Sequence, residues 1–241
     1  MQRFVSFVLP PQCLVCRALT QSPHQLCSSC WQQLTFIGEP RCARCGYPLP
    51  YRTGETLCLM CYQTPPLFDK GRSILHYDAA IRTLILRLKH SDATYLLPAL
   101  GRWIIPHIKD MIRECDVLIP VPLSRRRMMQ RGFNQATLLA QQIAAAYPCS
   151  VGYGLLKRQR HTRPQALQRR QQRLENLHNA FVLTPKGYQA IMNKRVCLID
   201  DVWTTGTTIK ECTRVLKKGL PKSVSVITLA RVVKEQYAQD L

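Results

Sequence analysis

Residues 196–208, VCLIDDVWTTGTT, constrain the fold of this chain more than any other stretch. They open with four apolar residues, which suffice for a buried strand of a parallel sheet. Two carboxylates, Asp200 and Asp201, follow where that strand is expected to end. Threonines around Gly206 come next, and residues 209–218 then have the pattern of a helix that is stopped by a glycine and a proline. The stretch therefore predicts a strand, a polar loop and a helix of an α/β sheet.

A unit of this kind can bind phosphate. The free N–H groups and the positive dipole end of the helix attract an anion, and Gly206 lets the backbone approach it without a Cβ. Asp200 and Asp201 would repel phosphate, but they can accept hydrogen bonds from vicinal sugar hydroxyls. The expected ligand is a ribose 5-phosphate; an ordinary strand-to-helix turn with a threonine cap is the alternative. The hydroxyl donors are Thr204, Thr205, Thr207 and Thr208.

The same stretch resembles, from end to end, the phosphoribosyl-pyrophosphate (PRPP) motif of the type I phosphoribosyltransferases. The resemblance implies an α/β fold in which helices flank a parallel sheet, and a site for PRPP together with Mg²⁺. It defines the class of ligand better than the reaction, so no residue is assigned a catalytic role.

Eight of the 12 cysteines occur as four Cys-x-x-Cys pairs near the N-terminus. Each pair can present two thiolates to one metal ion, and two pairs complete a tetrahedral site. Pairing in sequence order gives two zinc ribbons; a cross-braced arrangement is the alternative. Zinc is favoured over disulfides because cytosolic thiols stay reduced. The zinc is expected to be structural because four thiolates leave no ligand position for water. The cysteines are Cys13, Cys16, Cys27, Cys30, Cys42, Cys45, Cys58 and Cys61.

Pro65 and Pro66 mark a boundary, because proline resists both helix and sheet pairing. We therefore expect a double zinc-ribbon domain over residues 1–64, a linker over 65–71 and the larger α/β domain over 72–241. Further strands are predicted at residues 72–77, 116–122, 181–183 and 223–231, and helices after Asp78, over 95–112 and over 134–146.

The composition is strongly basic, with 34 Lys and Arg against 14 Asp and Glu and a formal net charge of +20. Arginines outnumber lysines by 23 to 11, and arginine can hold phosphate through two parallel hydrogen bonds. This predicts a polyanionic partner, nucleic acid before a membrane surface; a merely basic protein is the alternative. No apolar run reaches the about 18 residues of a membrane span, and the apolar start is too short for a signal peptide. A cytoplasmic protein is therefore expected.

Two arginine-rich segments contain no acidic residue. Residues 123–135 directly follow a predicted strand. In a parallel sheet they should therefore lie at the same edge as the threonine-rich loop at residues 204–208, which we call the phosphate loop. Pro122, Arg125 and Arg131 are the candidate pyrophosphate contacts there, with a solvated basic loop as the alternative.

The second segment spans residues 158–173 and is expected to be mobile until an anion binds, because dense like charge repels itself. Type I phosphoribosyltransferases carry at this position a flexible loop that closes over PRPP. With the first segment it is expected to form one surface for single-stranded DNA. Its arginines are Arg158, Arg160, Arg163, Arg169, Arg170 and Arg173.

Beyond these motifs, nearly the whole chain resembles the ComF family. The resemblance implies a zinc-ribbon domain joined to a phosphoribosyltransferase domain, a role in DNA uptake and use (natural transformation), and contact with DNA-uptake machinery at the inner membrane face. Trp203 departs from the family pattern, in which a small aliphatic residue is usual; packing is expected, and a stacking face at the site mouth is the alternative. Besides the cysteine pairs and the PRPP motif, the matching elements are residues 88–90 (LKH), 120–123 (PVPL), 131–135 (RGFNQ), 160–165 (RxTxxQ), and 173–176 (RLEN) with Phe181.

Two functional hypotheses remain. In the favoured one, the protein handles incoming single-stranded DNA in the cytosol and binds PRPP or another ribose 5-phosphate at the loop. In the alternative, it is an active Mg²⁺-dependent phosphoribosyltransferase with an unknown acceptor. The first is favoured because the sequence contains no signature of an acceptor-base pocket and has more arginines than one pyrophosphate needs. A PRPP-sensing repressor is weaker, since no helix-turn-helix precedes the domain.

Overall fold

The computed structural model describes residues 10–50, 56–90, 93–159 and 180–233. Within them, five parallel strands form one sheet in the order β1-β7-β6-β2-β3, and β4 and β5 form a separate antiparallel pair. The prediction of a parallel α/β sheet is confirmed. The strands are β1 Lys70–His76, β2 Val117–Pro120, β3 Ser150–Val151, β4 Leu156–Arg158, β5 Phe181–Leu183, β6 Arg195–Trp203 and β7 Ser223–Arg231.

Helices cover both faces of this sheet. None of those described is both long and apolar enough to cross a membrane. In chain order they are α1 Ser28–Gln32, α2 Leu59–Gln63, α3 Ala79–His90, α4 Leu97–Ile112, α5 Arg125–Arg131, α6 Gln135–Ala146, α7 Pro185–Ile191 and α8 Thr207–Lys217, with a 3-10 turn over Ala93–Leu96 before α4.

The alternation of side chains along the strands fills two cores. In β6, Cys197 and Ile199 face the core formed with α3, α4 and α6. Val196 and Leu198 face the core formed with α7, α8 and the β4–β5 pair. Both faces of the central strands are therefore buried, which explains why these strands are almost continuously apolar.

The loop predicted after β2 instead contains the helix α5. Ser124 caps this helix by accepting a hydrogen bond from the Arg127 N–H at 3.4 Å, and Gly132 ends it in the left-handed conformation with φ of 76°. A serine before the first turn and a glycine after the last are ordinary helix signals, but they flank only seven residues here.

Three further predictions are corrected by the fold. Residues 181–183 do not extend the main sheet, because they pair with β4, a strand that the sequence pattern did not indicate. The strand expected at 72–77 begins two residues earlier, at Lys70. The helix expected over 95–112 begins at Leu97, and its residues include Pro98 in the first turn and Pro106 in the interior.

The cysteine-rich region is fixed to the edge of the sheet. Its backbone covers the outer edge of β1, which would otherwise be open to pairing with another chain. On the helical side, Trp31 of α1 meets Trp103 of α4 nearly edge-on, with 5.9 Å between ring centroids. The hydrogen bonds to β1 run from Ile37 N–H to Ile74 O (2.8 Å), from His76 N–H to Thr35 O (2.8 Å) and from Gly71 N–H to Arg44 O (2.7 Å).

Gly71 lies where the cysteine-rich region, the linker and the sheet meet. A Cβ at this position would stand 3.2 Å from the rings of Phe68 and Trp203 and 3.3 Å from the Cα of Cys45. All three neighbours are buried. The junction therefore has no room for a larger residue.

We predict that Gly71→Val lowers the free energy of unfolding by about 1–3 kcal/mol, the usual cost of overpacking a core. Gly38→Val is the matched control, because nothing lies within 4 Å of a Cβ at Gly38; it should change stability by less than about 0.5 kcal/mol. Urea denaturation of both variants measures the difference. Equal stability of the two variants would contradict the packing described for this junction.

Candidate PRPP and anion site

The phosphate loop connects β6 to α8. Strand β6 continues to Trp203, so Asp200 and Asp201 lie within the strand. The sequence pattern had predicted them at the end of the strand, and this position is corrected. Thr204, Thr205 and Gly206 then make the turn, and α8 begins at Thr207. The strand, loop and helix predicted here are therefore present. The two acids belong to the last residues of β6 that pair with β7.

Gly206 is required by the conformation of the loop itself. Its φ is 77°, in the left-handed region that favours glycine. A Cβ would stand only 2.8 Å from Nε1 of Trp203. Within the described residues, no side chain caps the start of α8, whose N-cap residue is Gly206, so its first N–H groups can face an anion. Beside them, the hydroxyls of Thr205 and Thr207 lie 2.9 Å apart, and Thr208 follows in the same turn.

The acid pair is partly withdrawn from water and held by a lysine. Lys89 Nζ lies 2.9 Å from Oδ2 of Asp201, whose side chain is 15% exposed. The Asp201 N–H donates to Oδ1 of Asp200 at 2.9 Å. Burial raises the pKa of Asp200 well above its ordinary value, and the charge of Asp201 raises it further. Lys89 belongs to the 88–90 element that resembles the ComF family, but it was not predicted as a site residue.

Arg131 lies on the same side as the acid pair. Its Nη1 donates to Oε1 of Gln135 at 3.2 Å, and Gln135 Nε2 donates to Leu88 O at 3.4 Å, one residue before Lys89. Burial lowers the pKa of Arg131, an effect that the charge of Asp201 opposes. The element at 131–135 therefore connects the helix α6 to the end of α3 that carries Lys89.

The other predicted residues surround a separate cavity of about 340 Å³ beyond β2 and β3. Pro122, Arg125 and Arg158 line it, together with Lys157 and Tyr153. The Tyr153 side chain is 57% exposed. This cavity lies at the carboxyl edge of the sheet, the edge that also carries the phosphate loop.

Arg158 belongs to β4 and not to a mobile segment, which corrects the sequence-based expectation for this residue. Its guanidinium lies 5.4 Å from the centroid of the Phe181 ring, and burial lowers its pKa. The pairing of β4 with β5, in which Arg158 lies opposite Phe181, holds its backbone in place. The remaining arginines of the segment lie outside the described residues: Arg160, Arg163, Arg169, Arg170 and Arg173.

The eight paired cysteines form two four-sulfur clusters in sequence order, not in the cross-braced arrangement. Within each cluster the sulfurs lie within 4.8 Å of one another. Cys16 and Cys27 are 3.6 Å apart, as are Cys45 and Cys58. Two thiolates on one tetrahedral zinc should be about 3.8 Å apart, from Zn–S bonds of about 2.3 Å. Both clusters therefore fit structural zinc. His24 lies in the sequence between the two cysteine pairs of the first cluster, but its Nδ1 contacts the backbone O of Tyr95 at 2.7 Å.

Comparison with known proteins decides the family. Residues 4–63 match the model of a double zinc ribbon domain, and residues 128–240 match that of a phosphoribosyl transferase domain. Competence protein F of Haemophilus influenzae is 32% identical over 237 residues, which cover 96% of this chain and 100% of that protein. This chain belongs to the ComF family.

Two further ComF-family relatives extend the similarity. DNA utilization protein YhgH of Escherichia coli K12 is 29% identical over 93% of this chain and 99% of its own. Competence protein ComFC of Bacillus subtilis is 28% identical over 88% of this chain and 87% of its own. Relatives named for competence and for DNA utilisation are thus similar in sequence to this chain over most of their length.

In this ComF-family chain the second cysteine cluster contacts the phosphate loop through two residues. Arg231 Nη1 donates to the Cys45 backbone O at 2.9 Å, and its guanidinium lies 4.1 Å from the centroid of the Trp203 ring. Trp203 is only 7% exposed and packs against Gly206. The expectation that Trp203 packs is therefore met, and the metal cluster and the loop are parts of one contact chain.

We predict about two zinc ions per chain, one in each of the two clusters. Cys42→Ser should reduce this to about one, because three sulfurs are left in its cluster. Cys149→Ser is the control: Cys149 belongs to neither cluster and should leave the zinc content unchanged. Elemental analysis of reduced protein measures the content. A folded protein without zinc would contradict the assignment.

Proposed function

We propose that this protein handles incoming single-stranded DNA in the cytoplasm during DNA uptake and use, and that its phosphate loop binds PRPP or another ribose 5-phosphate. The observation that carries the proposal is the combination of groups at the carboxyl edge of one sheet. An acid pair and an uncapped helix start lie there beside a cavity lined by arginines and an exposed tyrosine. Three relatives named for competence or DNA utilisation support the assignment to DNA.

The phosphate loop offers complementary groups to the two ends of a ribose 5-phosphate. The 5′-phosphate would accept hydrogen bonds from the first N–H groups of α8 and from the threonine hydroxyls. The ribose hydroxyls would donate to the carboxylates of Asp200 and Asp201. Because Lys89 occupies an oxygen of Asp201, the ligand has to share or displace this contact.

The loop also fits Mg²⁺ as the companion of PRPP. Mg²⁺ prefers oxygen ligands and usually combines one or two carboxylates with phosphate oxygens of the substrate. Asp200 and Asp201 are the carboxylates that would face it. Arg131 is near enough that the charge of Asp201 acts to raise its pKa. When bound, the ion would neutralise charge on the pyrophosphate group.

The cavity beyond β2 and β3 has the composition of a surface for single-stranded nucleic acid. Arg125 and Lys157 supply positive charge for the phosphates, and the exposed ring of Tyr153 offers a face on which a base can stack. Arg126 and Arg127 are exposed on α5 next to Arg125. Such a surface binds with little preference for sequence, which suits DNA of arbitrary origin.

An active phosphoribosyltransferase remains the second candidate. The observation that favours it is the placement of Arg131 and Lys89 around the acid pair, because cations near the reacting carbon would stabilise departing pyrophosphate. Release of pyrophosphate from PRPP in the presence of nucleobases or ammonia would establish it. In either case we place the protein in the cytoplasm, with docking to uptake machinery at the inner membrane face.

We predict that Asp200→Ala combined with Asp201→Ala lowers the affinity for PRPP with Mg²⁺ by about tenfold or more, because the ribose hydroxyls lose their acceptors; tenfold corresponds to about 1.4 kcal/mol. Calorimetry measures the affinity. The control is Asp110→Ala with Glu114→Ala, which removes the same charge from two exposed positions at the opposite, amino edge of the sheet. Equal affinity in both double variants would mean that the loop is only a turn.

We predict that binding of an oligo-dT strand weakens with salt, with a slope of about −3 for log affinity against log salt if about four phosphates are engaged. Replacing Arg125, Arg126 and Arg127 by alanine should make the slope shallower by about 2, because three phosphate contacts are lost. The control replaces three exposed lysines at the amino edge by alanine: Lys186, Lys194 and Lys222. Identical slopes in the two triple variants would contradict a DNA-binding surface on α5.

A further inference from the structure

A second, larger cavity lies away from the phosphate loop. Its volume is about 530 Å³, and it is enclosed by the second zinc ribbon and the beginning of β1. The ribbon contributes residues 39–44, and the strand contributes Lys70 and Arg72. This volume falls in the range of about 300–1,000 Å³ that is typical of ligand sites.

The lining has an excess of positive charge. Its two acids are already engaged: Glu39 pairs with Arg41 at 2.8 Å, and Asp69 accepts from Lys217 at 3.0 Å and from the Val224 N–H at 2.7 Å. Three further cations line the cavity, and within the part of the chain that the structure describes none of them forms an ion pair with an acid. They are Arg44, Lys70 and Arg72.

Arg72 is the informative residue of this group. It is only 7% exposed, and its Nε has no hydrogen-bond partner among the described residues. The Nε of Arg44 is also without one, and this arginine makes a single long contact, from Nη2 to Pro66 O at 3.4 Å. Burying a guanidinium without a partner is costly, so a buried arginine is normally paired. Within the described residues, both guanidinium groups are thus left without an anionic partner.

We propose that this cavity is a second anion site, which takes a phosphate group through Arg72, Arg44 and Lys70. Arginine is suited to this because its planar guanidinium can hold two phosphate oxygens at once. The strand holds Arg72 in place through its pairing with β7 opposite Ile227, and the N–H of the preceding residue, Gly71, donates to the Arg44 backbone O at 2.7 Å. Both arginines are therefore positioned before a ligand arrives.

The volume exceeds that of one phosphate ion, so the phosphate can belong to a larger ligand. A free phosphate compound and a phosphodiester of the DNA backbone share this chemistry. The site does not depend on the phosphate loop, because it lies on the outer strand of the sheet beside the second ribbon and uses none of the residues of the loop.

The test is calorimetric titration of the zinc-loaded protein with inorganic phosphate, and separately with oligo-dT. Arg72→Met keeps the length and apolar volume of the side chain but removes the charge. We expect this variant to weaken phosphate binding by about tenfold or more. The control is Arg82→Met, at an exposed position on α3. Arg72→Met should also unfold at a higher temperature without ligand, because an unpaired buried charge is gone.

Lys70→Gln provides a second variant in case Arg72→Met does not fold, since Lys70 is exposed at the rim of the cavity. It should weaken phosphate binding in the same direction. Loss of oligo-dT binding in both variants would assign the site to DNA, and loss of phosphate binding alone would assign it to a small phosphate compound. Unchanged binding of both probes in both variants would overturn the proposal.

Discussion

The contact between Arg231 and Trp203 holds the functional edge of this molecule together. One guanidinium lies over the indole ring, faces the Tyr47 ring at 4.9 Å on the ribbon side, and donates to the carbonyl of the zinc-ligand candidate Cys45. The indole in turn closes on Gly206, whose missing Cβ leaves room for it. Because Trp203 ends β6 and Arg231 ends β7, strand β6, which leads into the phosphate loop, and its neighbour β7 are tied at their carboxyl ends to the second cysteine cluster. The second ribbon therefore supports the loop through Arg231 and Trp203.

The electrostatics of the loop explain why an acid pair can face a phosphate ligand. Asp200 is buried enough that its pKa is raised, and the charge of Asp201 is matched by Lys89. The repulsion that two free carboxylates would exert on an incoming phosphate is thereby reduced. At the same edge, the arginines of α5 and β4 provide an excess of positive charge. In the function that we propose, a phosphate and a sugar would therefore be accepted side by side.

The parts of this structure that could be predicted from sequence are those specified by short local patterns. Cysteine spacing indicated two metal clusters, and the order of apolar, acidic and threonine residues in 196–208 indicated the strand, the loop and the helix. The parts that could not be predicted depend on tertiary contacts. Lys89 reaches Asp201 because the tertiary fold brings the end of α3 to the carboxyl end of β6, and β4 and β5 are three-residue strands that exist only as a pair. The helix α5 was hidden because its seven residues include no buried side chain and thus no apolar period.

We propose that one edge of the sheet serves both a ribose 5-phosphate ligand and a DNA strand. Fluorescence anisotropy of a labelled oligo-dT, titrated with PRPP and Mg²⁺ at constant ionic strength, tests it most directly. If the loop and the arginine-lined cavity form one surface, saturating PRPP displaces the oligonucleotide, and the displacement is lost when Asp200 and Asp201 are replaced by alanine. Oligonucleotide binding that is unaffected by saturating PRPP would contradict the claim.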